Sequence, residues 1–199
     1  MTDTTTAPLS STSPSNPSPS STSLSSASLS RTGERDDLVA LLEKHRGLFL
    51  QTTQGLTDEQ ARLTPTVSAL SVGGLLKHVT APETQWLDFL ENGAPDSGGV
   101  DWESLNEAAY QAFTNGFRLL PEETLAGVLA DYAAVAARAA DLARTADLDL
   151  AHPLPEAPWF EKESWSNRRV LMHIVAETAQ HAGHADIIRE TIDGQKTMG

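Results

Sequence analysis

The 199-residue chain has no cysteine. That excludes a disulfide framework, a Cys-ligated zinc or iron–sulfur site, and a catalytic thiol of the protein's own. It fits a reducing compartment, so a cytoplasmic location is the expectation. Basic side chains are scarce too: 14 Lys and Arg stand against 27 Asp and Glu, a net charge of −13. Nucleic acid and anionic membrane surfaces both require a basic footprint, so neither is an expected partner. No run approaches the ~18 apolar residues of a membrane-spanning helix. Alternating β-branched stretches are also missing, which removes most β architectures.

What is present divides into two parts. Of the first 30 residues, 22 are Ser, Thr or Pro, and Asp3 is the one charged side chain among them. Such a segment buries too little apolar area to offset its ordering entropy, and it reads as a disordered tail over residues 1–31. It lacks the basic start and apolar core of a secretory signal. Residues 32–199 form the folded domain and carry nearly all the acidic charge.

The domain reads as four long helices. The first is predicted from about Glu34 to Gln54, with Leu38, Leu41, Leu42, Leu48 and Phe49 at helical spacing. Thr57 to Gln60 has the form of a capping box and predicts a short helical turn. The second runs from about Val72 to Asn92 behind Ser71 as N-cap, with Pro82 inside it as an expected kink or break. A loop follows, and residues 102–118 leave room for a short helix. The third is predicted from Pro121, at the first helical position, to Thr145. A link over residues 147–165 holds Trp159 and Trp165, expected as lids over the bundle end. The fourth opens behind Ser166 and closes at Gly194. Together these predict an all-α, antiparallel four-helix bundle with crossover connections.

Six histidines are present, and three of them lie on the fourth helix. With His173 at zero, Glu177 falls at about 40°, His181 at about 80° and His184 at about 20° around the helix axis. Ile174 and Ile188 flank this stripe, which makes it inward-facing. Imidazoles and a carboxylate on an inward face need partners, because an unpaired buried polar group costs roughly 1–3 kcal/mol. One divalent ion serves several of them together; nitrogen and carboxylate donors suit zinc, with nickel or iron also compatible. Glu177 and His181, four residues apart, reach one ion from successive turns. His78, among apolar positions of the second helix, is the best third ligand. Three protein ligands leave one position open, the pattern of a catalytic site. The same spacing also occurs as a plain surface Glu–His pair. His45 and His152 read as surface or loop residues, and Arg168-Arg169 as a solvated pair.

At these residues the sequence resembles the DinB superfamily of metal-binding four-helix bundles. The resemblance rests on His173, Glu177, His181-Ala182-Gly183-His184-Ala185-Asp186, then Arg189-Glu190 and Asp193-Gly194, together with Gly74-Leu75-Leu76-Lys77-His78-Val79. It spans about residues 34–195. Most members hold a divalent ion with one His from the second helix and two from the last. Here Glu177 replaces the first of that last pair, as in mycothiol-dependent maleylpyruvate isomerase. The resemblance therefore implies His78, Glu177 and His181 as the metal set. It implies supporting roles for His184, where many relatives have Gln, and for His173: orienting a ligand or shuttling a proton.

Several superfamily members are transferases or isomerases that use mycothiol, bacillithiol or glutathione. For a chain without cysteine, thiol chemistry means a borrowed thiol. The expectation is a divalent-metal-dependent thiol S-transferase, zinc first among the ions, with a low-molecular-weight thiol such as mycothiol and an electrophilic small-molecule substrate. The alternative is a non-catalytic, stress-associated metal-binding bundle. A homodimer through a bundle face is compatible with either.

Overall fold

The computed structural model describes residues 1–2, 26–95, 106–157 and 160–198, with residues 26–32 described by their backbone alone. The expected tail falls largely outside these residues, as does Trp159. Among the described residues the chain forms α1 (Ser26–Gln51), α2 (Asp58–Arg62), α3 (Val72–Asn92), α4 (Glu107–Asn115), α5 (Leu125–Thr145), β1 (Ala151–Pro153), β2 (Ser164–Ser166) and α6 (Asn167–Asp193). The all-α bundle expected from the sequence is what forms. No helix among the described residues is long and apolar enough to cross a membrane.

Helix ends follow local chemistry. The side chains of Ser71, Thr124 and Ser166 each accept the backbone N–H three residues on, which starts α3, α5 and α6. Thr57 and Gln60 complete the predicted capping box. The third long helix begins at Leu125 and not at Pro121. Glu123 is committed elsewhere: its carboxylate accepts the Leu120 N–H and pairs with Lys77, which holds residues 120–123 as a turn. Pro82 does not interrupt α3. The first helix begins at Ser26, eight residues before the expected Glu34, and ends at Gln51.

Long-range contacts set the helix directions. Arg168 at the start of α6 pairs with Glu34 near the start of α1, and Arg189 near the end of α6 donates to the Thr52 and Gln54 carbonyls after α1. These two helices are parallel. Lys77 in α3 pairs with Glu123 before α5, and Arg138 in α5 pairs with Asp88 and Glu91 late in α3, so these are parallel as well. Arg35 on α1 donates to the Ala143, Arg144 and Ala146 carbonyls at the end of α5, an antiparallel contact. Each long helix thus has one parallel and one antiparallel neighbour. The α3–α5 connection must return the length of the bundle, which is the crossover.

The core has two apolar halves. Leu38, Leu42, Leu87, Leu90, Leu142, Leu171 and Ile174 fill one end, and Phe49, Leu75, Leu76, Val128, Ala185 and Ile188 fill the other. Between them lies a polar layer with one residue from each long helix: Arg46, Glu83, Tyr132 and Thr178. Arg46 and Glu83 form a buried ion pair. Leu41, expected on the inward stripe, is 44% exposed, and Arg46 takes an inward place instead.

Candidate metal and thiol site

His78 and His181 meet across the α3–α6 contact, with ring centroids 5.1 Å apart and planes nearly perpendicular. Phe117 stacks on the other face of His78 at 4.0 Å. That contact depends on Gly74. A Cβ there would collide with the Phe117 carbonyl, so only glycine lets the segment after α4 lie on α3. Glu177 sits one turn from His181, with its Oε2 3.6 Å from His181 Nε2. Its other oxygen is 3.9 Å from His173 Nε2.

His78, Glu177 and His181 line one cavity, and so does Glu83. Pro82, Trp86 and Ile174 give it apolar walls. The cavity has a mouth and a floor. The Glu177 side chain is 41% exposed and the Glu83 side chain 2%. Burial lowers the pKa of both His78 and His181; His181 adds to the effect at His78, while the Glu177 charge opposes it at both. Both imidazoles are therefore neutral near pH 7, the form with a lone pair to donate.

The remaining expected residues stand apart from the cavity lining. His184 lies behind His181, ring centroids 5.5 Å apart, and its Nδ1 is buried without a partner. His173 packs edge-on against Trp86 and Trp165, at 5.0 and 5.2 Å. Trp165 stacks flat on Trp86 and is buried, closing that end of the bundle. Arg169 stacks over Trp165 and pairs with Glu163, while Arg168 pairs with Glu34 and Asp149. The two arginines are thus pinned by ion pairs and are not simply solvated. His152 is not a loop residue: it sits in β1, half-buried against Phe89.

The donor chemistry fits a divalent ion: two neutral imidazoles and a carboxylate converge from two helices, and His181 Nδ1 is buried without a partner. Among the described residues no group of three or more His, Asp or Glu side chains is spaced to hold a metal ion. The family model for mycothiol-S-transferase matches residues 37–194. The chain belongs to that family. This agrees with the DinB-like resemblance read from the sequence. No curated protein matches. A crystal structure of a conserved protein from Enterococcus faecalis is similar, with a TM-score of 0.58 and 14% identity, over 80% of this chain and 97% of that one. At that identity it shows the shared fold alone.

Sequence reasoning missed Glu83 and Arg46. The signal was available: 79, 83, 87 and 90 share the α3 stripe, and 42, 46 and 49 share the α1 stripe. A charged residue stands on an apolar stripe in each.

Proposed function

We propose that this mycothiol-S-transferase family member is a divalent-metal-dependent enzyme that transfers mycothiol, or a closely related low-molecular-weight thiol, to an electrophilic small molecule. The observation that carries the reading is the convergence of His78, Glu177 and His181 on one apolar-walled cavity in a chain with no cysteine. These three residues would hold the ion, with zinc the best match to two imidazoles and a carboxylate. A bound divalent cation supplies the positive charge that lowers a thiol's pKa toward neutrality. Glu177 at the mouth orients His181, and the paired rings of Trp86 and Trp165 cover the apolar wall. His173 and His184 lie outside the lining beside Glu177 and His181, where they would orient a ligand or shuttle a proton. The electrophile meets the thiol at the solvent-facing mouth.

Metal analysis of the purified wild type against His78→Ala and Glu177→Ala tests the site. About one ion per chain in the wild type, and loss in both variants, is expected. Absence of metal from the wild type after gentle purification would remove the proposal. Conjugation of monochlorobimane with mycothiol, bacillithiol and glutathione then tests the activity. A metal-loaded wild type that accelerates none of them is a binding protein and not a transferase.

A further inference from the structure

We propose that Glu83 is a catalytic residue: at the cavity floor, its Oε2 accepts the proton of the incoming thiol and afterwards releases it to water. The inference rests on the thiol-transfer reading above. Four titratable side chains line the cavity: His78, Glu83, Glu177 and His181. Three of them are the proposed metal donors. A thiol that loses its proton there has one remaining acceptor, and it is Glu83.

The geometry around Glu83 supports that role. Its Oε1 accepts from Arg46, while its Oε2 is buried and reaches no hydrogen-bond partner. Arg46 Nε is likewise buried and unpaired, while the Tyr132 hydroxyl lies against Thr178 and Arg46. Arg46 from α1, Tyr132 from α5 and Thr178 from α6 share the buried layer with Glu83, and His78, Glu177 and His181 line the same cavity. A layer built only to hold the bundle together would satisfy its own hydrogen bonds. This one keeps an acceptor open beside a small cavity of about 20 Å³. That admits one small group, the size of a water or a thiol head. Burial raises the Glu83 pKa against the opposing pull of Arg46, which makes the carboxylate a stronger base. Tyr132, whose pKa is pushed up to about 12 by burial and then by the Glu83 charge, stays protonated as a donor.

The step balances without a further reagent. The thiol S–H bond breaks and an O–H bond forms on Glu83, so the net charge of the cavity is unchanged. The thiolate attacks an electrophilic carbon bearing a leaving group. The C–S bond forms, the bond to the leaving group breaks, and that group departs with the electron pair. A leaving group such as chloride remains an anion in solvent, and Glu83 releases its proton to water and returns to the carboxylate.

The test compares Glu83→Gln and Glu83→Asp with wild type in monochlorobimane conjugation, alongside metal content and melting temperature. A general base contributes roughly 10²- to 10⁴-fold, so Glu83→Gln should lower kcat about 100-fold or more with little change in KM or metal content. Its residual rate should keep rising with pH, as solution ionisation replaces the base, and Glu83→Asp should recover part of the loss. If Glu83→Gln fails to fold, Arg46→Gln with Glu83→Gln removes the unpaired buried charge and serves as the same test. A second readout needs no turnover: infrared difference spectra on adding thiol to wild type should show a newly protonated carboxyl that is absent from Glu83→Gln. A Glu83→Gln rate within threefold of wild type overturns the inference, as does absence of that carboxyl band. A wild type with neither metal nor conjugation overturns the parent reading instead, and the carboxyl band still decides the role of Glu83.

Discussion

Arg189 and Arg46 are both buried, 2% and 5% exposed, yet they sit in opposite kinds of surroundings. Every nitrogen of Arg189 is engaged: Nε and Nη2 with Asp193, Nη1 with the Thr52 and Gln54 carbonyls, and Nη2 also with Gln195. It closes the end of α1 against the end of α6, and its chemistry is complete. Arg46 holds Glu83 but leaves its own Nε and the far Glu83 oxygen unpaired beside a cavity. A satisfied buried charge is part of the scaffold, whereas an unsatisfied one at a cavity floor is what a site keeps for its ligand.

Replacing Arg46 with Met should give the largest effect. It strands Glu83 as a buried carboxylate, and breaking such a pair costs about 3–5 kcal/mol. The loss depends on pH with a definite sign. The Glu83 pKa is raised in the folded state by burial, so its protonated form is favoured there. The penalty is therefore smallest below the ordinary Glu range, about 4.3, and grows as pH rises through the folded value. Melting temperatures at pH 5 and pH 8 check this. An equal loss at both would mean Glu83 is not the stranded group.

Arg189→Met comes next, at about 2–4 kcal/mol, because it orphans two backbone carbonyls. It should act on the melting temperature alone. Per folded molecule, the conjugation rate should match wild type. A rate that fell with the fold intact would break the contrast between the two arginines.

The double variant Arg46→Met with Glu83→Leu sharpens the contrast most. Replacing a buried pair by apolar residues of similar volume is often neutral or stabilising by roughly 1–4 kcal/mol. Its melting temperature should return to near that of wild type while conjugation stays low. Full activity with full stability would reduce the polar layer to packing.

The smallest effect belongs to Asp193. Its pKa is lowered first by the hydrogen bond from Arg189. That contribution is present above the ordinary Asp range and is lost as pH falls through the depressed value. Asp193→Asn should lower stability slightly at pH 7 and leave the strongly acid side almost unchanged, which flattens the acid limb of the stability curve.

Much of the bundle was legible in the sequence because its signals are local. Ser71 and Ser166 cap helices through bonds three residues long, and Gly194 closes α6 at φ 79°. The His–Glu–His stripe of α6 follows from helical spacing alone. The start of α5 was misplaced because Glu123 reaches Lys77, 46 residues away, and no local rule carries that contact. Leu41 misled for a related reason: spacing gives a stripe, but the neighbouring helices decide which edge of it is buried.

The residues alone determined four amphipathic helices, the shared face of Glu177 and His181, and the need to borrow any sulfur. Those properties depend on composition and on a 3.6-residue period, which act within one segment. Only the tertiary structure decided which helices run parallel, that Gly74 admits Phe117 against His78, and that Arg46, Glu83, Tyr132 and Thr178 form one layer. Each of these depends on the contact of segments distant in sequence, where burial turns a charged side chain on a stripe into a group that must be paired or used.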